Sequence, residues 1–326
     1  MAPQQLLIHY LIMQVCIAFE KNGLFDVLRK TKKPVSISDL SKTLRVQEDL
    51  LRVCIDFLWS VTDILEKTER GIMLKNPGSF PDGFIVAAYK SVFDNIGDLL
   101  SGAKKYGREV NRDGYELQKA SDMLSKETNK RVLLILGKIK NDFTLVDLGC
   151  GSAQLLIRHC STHKNNFGVG VDADKAVVVA AQKNAADAGC KKNIQIVNAD
   201  LKDIEKWSGY IPKDKPVVFF ASTVLHELLY TGEQGLVSAL REIKKKFPGA
   251  RLLTAEFDAL SFEDIKRENN LERKFFAAAY MFWHPLTHQG FPRPQSEWQN
   301  IFKKSGWAVN DIERTNKNVV IYDCLA

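Results

Sequence analysis

The apolar, β-branched run Phe143 to Leu148 ends in Gly149-Cys150-Gly151-Ser152, and an amphipathic stretch from Ala153 to Cys160 follows. Strand, glycine turn and helix in that order form an entry unit of a doubly wound α/β sheet. Glycine takes φ > 0 and lets the backbone approach a ligand closely. A Gly-x-Gly turn alone is a weak sign. Here a second short apolar run, Gly168-Val169-Gly170-Val171, ends in Asp172, 23 residues after Gly149. A ribose-binding carboxylate stands about 20 residues beyond such a turn.

Two departures narrow the ligand. The third glycine of the dinucleotide fingerprint is absent, because position 154 is Gln, and Asp147 sits just ahead of the first glycine. A carboxylate there repels a pyrophosphate but suits a cationic or zwitterionic ligand. With these residues the sequence resembles the class I S-adenosylmethionine (SAM)-dependent methyltransferases. Asp147-Leu148-Gly149-Cys150-Gly151-Ser152 matches their first motif, and Asp172 matches their ribose-binding acid. The resemblance covers roughly residues 140 to 326. It implies SAM as cofactor, with Asp147 near its ammonium group and Gly149 and Gly151 close to its methionyl part. Asp172 would accept from the ribose hydroxyls. Asp200 would lie near the adenine amine, with Leu201 flanking the ring. By itself, Asp200 would also serve as a helix N-cap.

From residue 143 onward, strands are expected at 143–148, 167–171, 194–197, 216–221, 250–256 and 318–324. Helices are expected at 153–160, 175–187, 233–246, 261–279 and 295–305. This alternation predicts a doubly wound, mostly parallel α/β sheet over residues 141–326, with ligands at the carboxyl ends of the strands, and the resemblance implies that it is the seven-stranded methyltransferase sheet. Ahead of it, residues 77–140 read as a helical connector or lid. Apolar periodicity runs from Phe84 to Leu100, a polar loop from Tyr106 to Gly114, and helices over 115–125 and 128–138. Arg108 and Arg112 in the polar loop are candidates for a cofactor or substrate carboxylate.

Residues 1–76 read as a winged-helix-like domain. Leu7, Leu11, Val15 and Phe19 share a helix face, Gly23 ends that helix, and a short helix starts at Leu24. Ser38 is placed to cap the next helix, Glu48 to Val61 forms another, and Ile64 to Leu74 forms a hairpin around Arg70-Gly71. The candidate recognition helix is apolar, and its Arg52 stands among Glu48, Asp49 and Asp56. A groove-reading helix needs a basic, polar outer face. No nucleic-acid partner is therefore expected. Small-molecule O-methyltransferases carry a similar domain for dimerisation, and the resemblance implies a homodimer.

Composition agrees with an ordinary globular protein: 45% hydrophobic, 26% charged, net charge +7 with the cations scattered among acids. The six cysteines show no CxxC and no ligand-like spacing, which fits free thiols and a cytoplasmic setting. The apolar stretch Leu6 to Cys16 is too short to span a bilayer and lacks the flanks of a signal peptide.

Acceptor chemistry is sought at two places. The run Phe219-Phe-Ala-Ser-Thr-Val-Leu-His226-Glu227 closes the fourth strand, where methyltransferase sheets face the methyl donor. Farther on, Tyr280-Met-Phe-Trp-His284-Pro-Leu-Thr-His288-Gln289 sets two imidazoles and an amide in aromatic surroundings. Pro285 argues against an unbroken helix through it. His-Glu followed by His-x-Leu-Thr-x-Gln resembles the metal-dependent C-methyltransferases of α-keto acids and malonyl groups. That resemblance implies a mononuclear Fe or Mn ion on His226, His284 and Gln289, with His226, Glu227 and His284 catalytic. The acceptor would be a small-molecule or carrier-bound acyl group, methylated through an enolate. Phe282, Trp283, Phe291 and Trp298 are candidates for dry walls, and Arg293 for a substrate carboxylate. Two other functions fit the same residues: a metal-free O-methyltransferase with His226 as general base, and a SAM-sensing DNA-binding regulator.

Overall fold

The computed structural model describes residues 3–31, 33–75, 85–315 and 318–326, with the side chains of 3, 4, 85 and 272 left aside. The expected helix start at Phe84 and the boundary between 76 and 77 lie outside these residues. The chain forms two compact units, residues 1–90 and 91–326.

The first unit holds helices α1 (Pro3–Lys21), α2 (Leu24–Thr31), α3 (Ile37–Leu44) and α4 (Glu48–Val61). A hairpin of β1 (Leu65–Thr68) and β2 (Gly71–Leu74) follows. Phe25, Leu40, Ile55 and Leu58 are fully buried at its centre, against Leu65, Ile72 and Leu74. The cap of α3 is Ser36 rather than Ser38. Ser36 Oγ accepts from the Asp39 amide at 3.1 Å and donates to the Asp39 carboxylate at 2.7 Å. An acid three residues after the serine completes that reciprocal pair, so the helix starts two residues earlier. Leu7 and Leu11 of the α1 stripe are exposed, as are Leu50, Val53 and Trp59 of α4.

Helix α5 (Ile85–Asp94) comes next. The second unit continues with α6 (Ile96–Ser101), α7 (Gly114–Leu124) and α8 (Lys126–Leu136). Then strand and helix alternate: β3 (Thr144–Leu148), α9 (Gln154–Thr162), β4 (Phe167–Asp172), α10 (Lys175–Asp187), β5 (Ile194–Asn198), α11 (Ile204–Ser208) and β6 (Val217–Ser222). A 3-10 helix over Leu225–Thr231 leads into α12 (Glu233–Lys246), β7 (Arg251–Phe257), α13 (Phe262–Arg267), α14 (Leu271–Leu286), α15 (Gln295–Lys304), β8 (Ala308–Arg314) and β9 (Val319–Leu325). The seven-stranded sheet runs β5-β4-β3-β6-β7-β9-β8. Neighbours from β5 to β7 are parallel, and β9 is antiparallel to β7 and β8. The winding reverses between β3 and β6, the switch point at which open α/β sheets bind ligands.

Two local expectations are corrected and one is met. Strand β8 was not among the expected strands because it is a polar edge, Ala-Val-Asn-Asp-Ile-Glu-Arg, with little burial. Charged edges resist pairing with other chains and show no alternating apolar pattern. The helix expected over 261–279 is two helices. Ser261 caps the first, and Asn270 caps the second by accepting from the Arg273 amide at 3.0 Å. As Pro285 argued, no unbroken helix runs through Tyr280 to Gln289: α14 ends at Leu286, one residue past the proline, and His288 lies beyond it with φ of 51°. The amides of Thr287 and Gln289 then close the helix on the His284 carbonyl.

All six cysteines are unpaired thiols, five of them buried. No helix among the described residues is long and apolar enough to cross a membrane.

Candidate active site

The carboxyl ends of β3 to β6 open into a cavity of about 690 Å³. Asp147, Gly149, Gly151, Asp172, Asp200, Leu201, Glu227 and Gln289 all line it. Gly149 and Gly151 both have positive φ, 73° and 52°. Their missing side chains make room for protein: a Cβ on Gly149 would stand 2.9 Å from Val224 Cγ2, and one on Gly151 would stand 2.6 Å from the Gln118 amide oxygen. The turn is tied to the neighbouring strand. The amides of Gly149 and Cys150 donate to the Val171 carbonyl, and the Gly151 amide donates to Asp172 Oδ2 at 3.0 Å.

The donor side is acidic. Asp147 is buried, and desolvation with the nearby Asp172 pushes its carboxyl up to about 8. Burial also raises Asp172, although the Asp174 and Gly151 amides that donate to it work against the rise. Such a site gains most from a ligand carrying positive charge. Asp200 does not cap the short helix α11. It accepts from the Lys202 amide at 2.9 Å, and Asp203 holds the cap position.

Beneath the Glu227 and Gln289 wall lie His226 and His284, both nearly inaccessible. His226 rides the 3-10 helix after β6 and His284 the last turn of α14. The sequence reading had no role for Glu256, at the end of β7, yet this residue organises the pair. One carboxylate oxygen accepts from the Leu225 amide at 2.8 Å, and the other stands 2.8 Å from His226 Nδ1. An acid at the end of a parallel strand was the signal that marks it. His284 Nδ1 donates to the Tyr280 carbonyl. With both Nδ1 atoms acting as donors, the two Nε2 atoms face each other at 3.1 Å. Burial and the neighbouring His226 push His284 down to about 2, so it is neutral.

Gln289 turns toward Glu227, donating to its carboxylate, and accepts from Thr287 Oγ1 at 2.9 Å. Arg112 Nη2 donates to the same Glu227 oxygen at 3.0 Å. Burial opposes ionisation of Glu227, but Arg112, His226 and the Gln289 amide hold its carboxyl below the usual range. Arg112 thus reaches the cavity, while Arg108 is exposed and Arg293 pairs with Glu297 at 3.0 Å. The four aromatic residues expected as walls do not line the cavity. Phe282 and Phe291 face solvent, and Trp283 and Trp298 are packed in the interior. His288 is exposed, stacked on Tyr230 with centroids 4.7 Å apart. Among the described residues, no group of three or more His, Cys, Asp and Glu side chains could hold a metal ion.

Comparison with known proteins fits this geometry. The family profile of ribosomal protein L11 methyltransferase (PrmA) matches residues 126–218. The chain is 20% identical over 293 residues to an indolepyruvate C-methyltransferase of Streptomyces griseus, covering 87% of this chain and 82% of that protein. Among solved structures, human N-acetylserotonin methyltransferase in complex with SAM superposes with a TM-score of 0.69 at 16% identity, covering 99% of this chain and 97% of that one. The N,N-8-amino-8-demethyl-D-riboflavin dimethyltransferase of Streptomyces davawensis gives 0.61 at 17% identity, covering 100% of both chains. The fold is that of the class I SAM-dependent methyltransferases. The chain is an SAM-dependent methyltransferase, with relatives that act at carbon, nitrogen and oxygen by name.

Proposed function

We propose that this enzyme methylates a carbon atom of a small α-keto acid or malonyl-type acyl group, free or carrier-bound, and that His226 and His284 hold a mononuclear Fe or Mn ion for that purpose. The observation that carries the proposal is the opposed pair of Nε2 atoms, 3.1 Å apart. Two bare lone pairs at that distance repel unless a proton or a cation lies between them. Two imidazoles each about 2.0–2.1 Å from one ion are separated by roughly 2.9–3.4 Å at angles between square and tetrahedral. Each Nδ1–H is also donated outward, to a carboxylate or a carbonyl, as metal-binding histidines are oriented. Gln289, which accepts from Thr287 Oγ1 and donates to Glu227, would supply the third ligand through Oε1.

When bound, a divalent ion supplies Lewis-acid polarisation of the acceptor's keto or thioester oxygen and so acidifies the neighbouring carbon. The chain's own residues do the rest. Glu256 fixes the tautomer of His226, and the Tyr280 carbonyl fixes that of His284. The Arg112 guanidinium suits an acceptor carboxylate. Glu227 keeps Oε1 on Arg112 and Gln289, which leaves Oε2 to take the carbon's proton. The acidic turn would orient SAM so that the enolate carbon bonds to its methyl as the S–CH3 bond breaks and neutral S-adenosylhomocysteine leaves, a step that depends on alignment. The indolepyruvate C-methyltransferase relative, an α-keto acid enzyme by name, supports this acceptor class. Residues 1–76 act as a winged-helix-like dimerisation domain, residues 77–140 as connector and lid, and residues 141–326 as the catalytic domain.

A second reading, O-methylation with His226 as base, draws on the Glu256–His226 pair. It is disfavoured because the Nε2 atom a substrate hydroxyl needs already faces His284. Methyl-¹³C donor, divalent iron or manganese and a panel of 2-oxo acids separate the two by NMR. We expect a methyl group on carbon. A methoxy product would establish the second reading instead.

A further inference from the structure

Three elements meet at the Glu227 end of the cavity, and each brings one polar group and one ring. The loop between α6 and α7 brings Arg112 and Tyr106, the 3-10 helix brings Glu227 and Tyr230, and the turn after α14 brings Gln289 and His288. The polar groups share one atom: Arg112 Nη2 and Gln289 Nε2 both donate to Glu227 Oε1. The rings form a second layer. His288 stacks on Tyr230 with 14° between the planes and meets Tyr106 edge-on, with centroids 5.5 Å apart. On a 3-10 helix, side chains three apart eclipse each other, so Glu227 and Tyr230 share one face.

His288 is the strained member. Its φ is 51°, a left-handed conformation that non-glycine residues keep only where the surroundings impose it. Adjacent side chains of an extended chain point apart, and the left-handed turn lets His288 and Gln289 serve both layers. A glycine would hold that backbone without strain, so the ring is what the strain secures. Tyr106, Arg112, His288 and Gln289 all line the cavity. Burial raises the Tyr106 phenol, and the Arg112 charge and main-chain amide beside its hydroxyl oppose the rise. The loop between these two residues is tight: the Gly107 amide donates to the Val110 carbonyl at 2.9 Å, and Val110 is buried. The contacts therefore close a circuit, from His288 to Tyr106, Arg112, Glu227 and Gln289, the residue next to His288 in the chain.

We propose that His288 is a positioning residue for the acceptor. Its ring clasps the loop of Tyr106 to Arg112 against the turn after α14, and so holds the Arg112 guanidinium and the Gln289 amide together on Glu227. An acidic acceptor then meets a cation already in place, instead of a long side chain that must be ordered on binding. That last step rests on the acidic acceptor proposed above, whereas the clasp does not.

Two substitutions in the full chain separate the ring from the backbone. His288→Gly keeps the left-handed turn and removes the ring, and His288→Phe keeps a ring. Amide hydrogen exchange followed by mass spectrometry reads the loop. We expect residues 105–112 to exchange about tenfold or more faster in His288→Gly, and to return to within about threefold of the unmodified rate in His288→Phe. With the 2-oxo acid that the unmodified protein methylates best, KM should rise about tenfold or more in His288→Gly, with kcat within about threefold and S-adenosylhomocysteine affinity within about twofold. Unchanged exchange in His288→Gly, or exchange in His288→Phe as fast as in His288→Gly, overturns the clasp. Faster exchange with an unchanged KM, or with an equal loss of S-adenosylhomocysteine affinity, overturns the positioning role. An unmodified protein that methylates no 2-oxo acid overturns the acceptor reading, and the exchange comparison still decides the clasp.

Discussion

At the scale of single residues, three carboxylates decide what the imidazoles and the donor site do. Glu256 gives His226 its tautomer, and Glu227 ties Arg112 to Gln289. For Glu256→Gln we expect affinity for iron or manganese to fall about 10–100-fold, measured by equilibrium dialysis, with S-adenosylhomocysteine affinity unchanged. Asp147 works through the proton it holds. Its carboxyl lies near 8 in the folded chain and near 3.8 when exposed. The folded state therefore binds more protons at this group across that window, and the contribution of Asp147 to stability is fully present below pH 4 and is lost as pH rises through 8. Calorimetric melting of the ligand-free protein should show this as a decline of several degrees between pH 5.5 and 8. Asp147→Asn should flatten the decline, and an unchanged slope would mean that the buried acid does not titrate there.

At the scale of elements, α14 and the turn after it carry His284 and Gln289, on which the proposed acceptor side depends. The turn is clamped on the 3-10 helix: a Cβ on Gly290 would stand 2.2 Å from Leu229 Cβ and 2.6 Å from the His226 carbonyl oxygen. Gly290→Ala should cost about 2 kcal/mol or more in urea unfolding and displace Gln289 from Glu227. Less than about 0.5 kcal/mol would mean that the turn yields freely. How far the sequence led differs among these elements. The β3 turn and Asp172 were legible because glycine spacing and an acid at a fixed distance report backbone geometry directly. His226 and His284 were legible as candidates through local motif order. Their meeting at 3.1 Å was not, since 58 residues separate them and only the packing of α14 over the β6 end brings them together. Glu256 was missed for the same reason. Pro285 was informative because a proline limits how far a helix continues, and α14 ends one residue after it.

At the scale of the whole molecule, residues 1–90 and 91–326 are two compact units, and the first carries exposed apolar residues. Leu6, Leu7 and Tyr10 are each about 58–60% exposed on one helix. Such a surface fits self-association. Sedimentation should give twice the 36.8 kDa chain mass, and Leu7→Glu with Tyr10→Glu should give the single-chain mass with donor binding intact. A monomeric unmodified protein at micromolar concentration would contradict this. The central claim, that His226 and His284 form one metal-binding pair beside the donor, is tested most directly by metal analysis of the intact protein after iron or manganese loading and desalting. The account predicts close to one ion per chain, and less than about a tenth of that in His284→Ala. Equal metal content in the two proteins, or none in either while methyl transfer to carbon proceeds after chelation, would contradict it.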